Sequence, residues 1–252
     1  MHLDRAVTNV TADMPDLSFI AVAGLAAVIG AIVQGSVGLG LGLVAAPVVT
    51  MLFPSLMPGS VLVAATVLPL FTLVREVQFA DWRGLRWAFG GRLAGTPLGV
   101  WVVVALPHRL LGIVVGGMVL AAVGLTALPR GMPRSPRTLM VAGVFSGATG
   151  TATSIGGPPL ALLYQREEGP RIRATLAVFF TIGALISLLT LAAVDQLPVR
   201  QVTAGLVLTP FAMAGFVLSR PLRRILDNGR MRAGVLLVTA AAALVLVMRS
   251  LG

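Results

Sequence analysis

The chain has 252 residues, 57% hydrophobic and only 11% charged, against about 25% charged residues in an average soluble domain. That deficit excludes an ordinary soluble enzyme and points to a polytopic membrane protein. The formal charge of +10 comes entirely from arginine, and there is no cysteine, so disulfide and thiolate chemistry are excluded. The arginines fall in short loops between apolar runs, which makes them topogenic charge rather than a nucleic-acid surface.

Residues 1–16 carry Asp4, Asp13 and Asp16 against Arg5 alone. A signal peptide opens on positive charge, so this stretch reads as a short uncleaved tail. Apolar runs follow at about 17–33, 39–53, 59–75, 84–105, 108–128, 138–153, 157–165, 172–194, 200–219 and 231–249. A full crossing takes roughly 17–25 residues. The runs 39–53 and 157–165 fall short of that, and each follows a glycine-rich break, so each reads as the second arm of a hairpin or as half of a discontinuous helix.

Parity then sets the topology. If each broken region returns to the side it started from, the loops after 75, 128, 165 and 219 share one face. That face collects most of the arginines, among them Arg75, Arg83, Arg86, Arg130, Arg134, Arg137, Arg166, Arg171, Arg173, Arg220, Arg223, Arg224, Arg230 and Arg232. The positive-inside rule places it in the cytoplasm and both termini outside. The same parity inverts two halves, 17–128 and 138–249, joined by the Pro/Arg loop 129–137. The predicted fold is therefore an all-α polytopic membrane protein of two inverted repeats. Each repeat is a broken-helix hairpin followed by three transmembrane helices. Trp82, Trp87 and Trp101 fall near the ends of helix 84–105, as an aromatic belt requires.

The two breaks carry the polar residues. One is QGSVGLGLGLVAAPVVTML from Gln34, and the other is SGATGTATSIGGPPLALLY from Ser146. At a 112-residue offset Gly35 aligns with Gly147, Gly38 with Gly150 and Pro47 with Pro159. Backbone that departs from helix at membrane depth survives only inside protein or along a cavity. Inverted repeats with interrupted helices near the midplane are the usual architecture of secondary transporters. A break frees backbone N–H groups and sets a partial positive charge at the start of the second arm. Gly38, Gly40 and Gly42 precede the arm containing Pro47, and Gly156 and Gly157 precede the arm led by Pro158 and Pro159. Neutral donors come from Gln34, Ser36, Thr149, Thr151, Thr153 and Ser154. The competing reading is that these small residues only allow close helix packing.

Arg92 lies two turns inward from Leu85 on the same predicted helix. Two readings stand for it: a side chain snorkelling to the surface, or a fixed positive charge beside an anion path. All nine acidic residues and both histidines fall in the tail, loops or helix ends. No buried carboxylate or histidine is available for a cation or a proton relay. The pattern fits an anionic substrate and asks for no metal or cofactor. A catalytic serine at 36 or 154 lacks a base to activate it, so no enzyme is expected.

At these residues the chain resembles the TauE/SafE sulfite exporter family. Its first motif, roughly G-x-G-G-G-x-x-x-x-P, is similar to Gly38-Leu39-Gly40-Leu41-Gly42 through Pro47, with Leu41 at the middle glycine. The second is similar to Ser146-Gly147 followed by Ser154-Ile155-Gly156-Gly157-Pro158-Pro159, with Ser154 at a glycine position. The resemblance covers nearly the whole chain. It implies outward transport of sulfite, sulfonates or related anions across the bacterial inner membrane. The expected partners are a small anionic substrate and the lipid bilayer, with no nucleic acid, and a homodimer is left open. The expected mechanism is alternating access, with a passive anion channel on the same fold as the alternative.

Overall fold

The computed structural model describes residues 16–127, 133–226 and 230–251. Residues 1–15 of the predicted tail, residue 128 and residues 129–132 of the predicted inter-repeat loop lie outside the described residues. Among the described residues the chain is entirely helical. The helices are α1 (Leu17–Val37), α2 (Leu41–Leu52), α3 (Gly59–Val67), α4 (Leu70–Glu76), α5 (Trp82–Ala105) and α6 (His108–Ala127). They continue as α7 (Pro136–Thr153), α8 (Pro158–Tyr164), α9 (Gly169–Ala193), α10 (Val199–Leu226) and α11 (Arg230–Leu251). Five described stretches are long and apolar enough to cross a membrane: Leu17–Ser36, Gly59–Phe79, Trp82–Ala105, Gly169–Ala193 and Val199–Ser219. The chain is a multi-pass membrane protein.

Most boundaries follow local chemistry. Ser135 and Thr138 form a capping box at the start of α7, with Pro136 in the first turn. The Asp81 carboxylate accepts the Gly84 N–H at 3.1 Å and caps α5. The predicted run 59–75 is two helices instead of one. Pro69 supplies no N–H, and the chain turns at Leu68–Pro69 before resuming as α4. The predicted run 200–219 extends seven residues further, through Pro221 to Leu226.

Ring and ion-pair contacts show which helix ends lie together. Phe19, at the start of α1, meets Phe53, just past α2, edge to face at 5.1 Å. On that end Gln201, in the first turn of α10, bonds the Ser55 and Met57 carbonyls and the Gly59 N–H. Arg134, just before α7, pairs with Glu167, just past α8, at 2.5 Å, and approaches Asp81 at the start of α5 at 3.7 Å. Each broken segment therefore doubles back to the end where it began.

The largest helix interface joins α5 to α7, the next joins α1 to α10, and α6 packs on α11. At the α5–α7 seam the backbones nearly touch. A Cβ on Gly91, Gly95 or Gly99 meets the carbonyls of Met140, Val144 or Ala148, and one on Gly143 or Gly147 meets those of Ala88 or Arg92. Small residues at four-residue spacing on both helices permit that approach. Large apolar side chains stand exposed on many helices, Trp82, Trp87 and Trp101 on α5 among them, as a lipid-facing surface requires.

Candidate functional site

Both breaks end in the middle of the molecule. α1 closes at Gly38 in the left-handed conformation (φ 89°), its N–H donating to the Gln34 carbonyl at 2.7 Å. The Gln34 side-chain oxygen then accepts the Leu41 N–H at 3.0 Å, satisfying the first amide of α2. α7 closes at Ser154, also left-handed (φ 62°). Its hydroxyl donates to the Pro58 carbonyl at 2.9 Å. The helix ends thus correspond at a 116-residue separation, and the 112-residue pairing of glycines does not follow them. The left-handed residue sets the end of each helix, and in the second copy that residue is a serine.

Left-handed backbone costs a non-glycine residue roughly 1–2 kcal/mol. Ser154→Gly relieves that cost and loses one hydrogen bond worth about 1 kcal/mol. The expected result is a melting temperature within a few degrees of wild type. Ser154→Val adds a β-branched side chain at the same φ, and a clear fall in thermal stability is expected in the same detergent melt.

The breaks line a cavity with about 50 Å³ open to the centre of a water-sized sphere, room for a few water-sized groups at about 10–15 Å³ each. Gln34, Leu39, Gly40 and Gly42 line it from the first break. Gly150, Ser154, Ile155, Gly156, Gly157 and Pro158 line it from the second. Gln34 and Gly150, Leu39 and Ile155, Gly40 and Gly156, and Gly42 and Pro158 are each 116 residues apart. No described residue bonds the N–H of Gly156 or Gly157.

Arg92 completes the lining. It is 2% exposed and turned inward, so the snorkelling reading does not describe it. Its Cζ lies 5.0 Å from the centre of the Phe179 ring, a cation–π distance. Its terminal nitrogens reach the Ser146 carbonyl at 3.5 Å and the Ser187 hydroxyl at 3.3 Å, both long. Its Nε has no hydrogen-bond partner, and among the described residues no carboxylate pairs with it. Gly183 of α9 lies against the guanidinium, where a Cβ would strike Nε and Cζ.

The remaining predicted residues are placed elsewhere. Thr151 shares a 2.8 Å hydrogen bond with Ser187, and Thr153 donates to the Thr149 carbonyl at 2.8 Å. Ser36 bonds back to the Ile32 carbonyl at 2.9 Å. Thr149 donates to the Ile155 carbonyl at 2.8 Å, and Ser146 donates to the Gly156 carbonyl. Thr149 and Ser146 hold the second break together by satisfying the Ile155 and Gly156 carbonyls, which lie outside any helix. Pro47 is buried within α2. Gly38 lines a smaller neighbouring cavity, and Pro159 lines a larger apolar one between α6, α7 and α8. The sequence reading missed Phe179, Phe180, Gly183, Ala184 and Ser187. All lie on α9, an uninterrupted apolar helix whose polar residues look incidental until Arg92 is seen against them.

At the arginine-rich end Asp81 accepts the Tyr164 O–H at 2.9 Å and faces Arg134 and Arg171 at 3.7 Å each. Burial alone pushes this carboxyl up. The Gly84 N–H, the Tyr164 hydroxyl and the two guanidinium groups outweigh burial and hold it below its usual range. A depressed folded-state value gives stability that is present above the unfolded value, near 3.8, and is lost as pH falls through the folded one. Asp81→Asn is expected to lower the melting temperature at pH 7 and to flatten the loss of stability below about pH 4. Melts across pH 2–7 check both.

Comparison with known proteins identifies the family. The family described as "Sulfite exporter TauE/SafE" matches residues 22–246. The chain belongs to the TauE/SafE sulfite exporter family. Similarity is also found to a Cupriavidus necator protein named "Probable sulfite/organosulfonate exporter TauE". The two are 29% identical over 215 residues, covering 78% of this chain and 82% of the relative. No solved structure matches. Membership makes the chain a transporter, and the family residues span both breaks and Arg92.

Proposed function

We propose that this protein exports sulfite, an organosulfonate or a related small organic anion across the bacterial inner membrane by alternating access. The observation that carries the reading is Arg92, a buried guanidinium that has no carboxylate partner among the described residues and faces a cavity between two helix breaks. A buried cation is costly unless something pairs with it, and an anion in the cavity supplies the missing partner. The freed amides of Gly156 and Gly157 and the first turns of α2 and α8 add positive potential on the same space. Gln34, Gly40, Gly42, Ser154, Gly156, Gly157, Pro158 and Arg92 hold the anion in this reading. Ser36, Gly38, Pro47, Thr151, Thr153 and Pro159 shape the breaks.

The inverted-repeat reading, 17–128 against 138–249, is supported by paired interfaces. α5 on α7 and α1 on α10 are the same pairing with the halves exchanged, and α6 on α11 joins equivalent helices. The two hairpins also open from opposite ends. With the arginine-rich end in the cytoplasm and the termini outside, rocking one half against the other exposes the cavity to each side in turn. The named activity of the Cupriavidus necator relative agrees with a sulfur oxyanion as cargo.

Counterflow in proteoliposomes tests the reading. Sulfite or sulfoacetate on the far side is expected to accelerate uptake of labelled sulfoacetate severalfold. Flux without trans-acceleration would mark a channel, and no flux of any sulfur oxyanion would overturn the proposal.

A further inference from the structure

One face of α9 leads from the arginine-rich end to Arg92. Arg173, Ala177, Phe180, Ala184 and Ser187 follow one another at helical spacing, over about 21 Å at 1.5 Å per residue. Ser187 bonds Arg92, and Phe180 and Ala184 line the central cavity. Arg173, Ala177 and Phe180 line a second, smaller cavity of about 10 Å³, which shares Gln34 and Phe180 with the first. Gln34 and Phe180 therefore form the wall between two adjacent cavities, with a guanidinium lining each.

The outer guanidinium is occupied. Arg173 donates to Glu76 through Nε at 3.0 Å and through a terminal nitrogen at 2.7 Å, and both side chains are about one-fifth exposed. This fork-to-carboxylate geometry is the one that also binds sulfonate or sulfite oxygens. Glu76 ends α4, the short helix that follows the turn at Leu68–Pro69. No residue of α4 is buried, and Val74 is 84% exposed. Pro69 and Thr72 of the same segment line the outer cavity. α4 thus covers the mouth of the outer cavity, rests mainly on α9, and is held there by the Arg173–Glu76 ion pair, with Phe71 set against Phe216 of α10 at 5.9 Å.

We propose that Arg173 is the first anion-holding side chain on the path to Arg92, and that Glu76 occupies it while the path is closed. An arriving sulfonate or sulfite takes the place of the Glu76 carboxylate on Arg173. Releasing Glu76 frees α4 to swing about Leu68–Pro69 and opens the path past Phe180. The carboxylate that latches the gate and the anion that passes it share one binding fork, so the gate responds to substrate without a separate sensor. This inference rests on the transport reading above.

The test uses the full chain, which has no cysteine of its own. A single Ala184→Cys substitution places a thiol in the central cavity. Its labelling by a negatively charged methanethiosulfonate reagent is followed in membrane vesicles of both orientations, without substrate. Glu76→Gln is expected to speed labelling from the arginine-rich side about fivefold or more, with little change from the other side. The two partners then separate in transport: Glu76→Gln is expected to lower KM for sulfoacetate about threefold, and Arg173→Gln to raise it about tenfold, with Arg173→Lys between. Unchanged labelling in both Glu76→Gln and Glu76→Ala overturns the latch even where transport is intact. Equal loss of affinity in Glu76→Gln and Arg173→Gln marks a merely structural ion pair and overturns it as well. Labelling needs no substrate, so absence of sulfonate flux in the wild type removes the transport reading alone.

Discussion

Arg92→Met is expected to abolish anion transport while leaving the protein at least as resistant to heat as the wild type. The two effects separate because the guanidinium is poorly compensated in the empty site. Its hydrogen bonds to Ser146 and Ser187 are 3.5 and 3.3 Å long, its Nε has no partner, and no carboxylate among the described residues neutralises it. An apolar side chain of similar length removes a buried charge and keeps most of the packing against Phe179 and Gly183, a change that is often neutral or stabilising. With an anion bound, the same truncation leaves a buried negative charge unpaired, at a cost of about 2–5 kcal/mol, or roughly thirtyfold to several-thousandfold in affinity. Arg92→Lys keeps the charge and loses the planar fork, so an intermediate affinity is expected. Sulfoacetate-dependent thermal shifts and proteoliposome flux measure both quantities. A large fall in melting temperature together with retained flux would show that Arg92 is a structural residue.

The same charge shows how much of the site can be read from the chain alone. The helix spans follow apolar runs closely, because a backbone in lipid must bond to itself and length then becomes diagnostic. The breaks are legible too, since glycine and paired prolines stand out in an apolar stretch. Their register is less so. Aligning glycines pairs Gly38 with Gly150, yet the helix ends at Gly38 and Ser154. A serine can take left-handed backbone when its hydroxyl finds a carbonyl, here that of Pro58, and residue identity does not reveal that.

The hydroxyls near the break misled in the other direction. Thr151 and Thr153 look like ligands in the sequence, but Thr151 pairs with the Ser187 hydroxyl and Thr153 bonds back to the Thr149 carbonyl one turn earlier. Arg92 did carry a signal. Leu85, Ala88, Arg92, Thr96 and Gly99 are all buried at helical spacing on α5. The glycines at 91, 95 and 99 mark that side of the helix as a packed seam, which a snorkelling arginine could not share.

The seam itself gives the second large effect. Gly95→Leu is expected to destabilise the protein by several kcal/mol and to stop transport, and Gly95→Ala to cost about 1–3 kcal/mol. A Cβ at Gly95 meets the Val144 carbonyl and Cα of α7, which are backbone atoms and cannot rotate away. α5 and α7 must therefore part. Arg92 is one turn from Gly95 on α5, and its guanidinium reaches the second break beside Gly150 and Gly156, so parting the helices also moves the charge away from the cavity. Two neighbouring positions separate this steric effect from a general intolerance of glycine loss. Gly90 is exposed on the same helix and a Cβ there meets nothing within 4 Å. Gly90→Ala is expected to leave flux unchanged and to raise stability by roughly 0.5–1 kcal/mol through helix propensity alone. Gly183→Ala adds its methyl to a different helix, yet that methyl strikes the Arg92 guanidinium directly. Its loss of sulfoacetate affinity is expected to exceed that of Gly95→Ala, with a smaller fall in melting temperature. The affinity and melting-temperature orders of the three alanine variants then separate backbone spacing from charge placement: an affinity loss confined to Gly95→Ala would assign the defect to the seam, and one greatest in Gly183→Ala to the position of a single guanidinium.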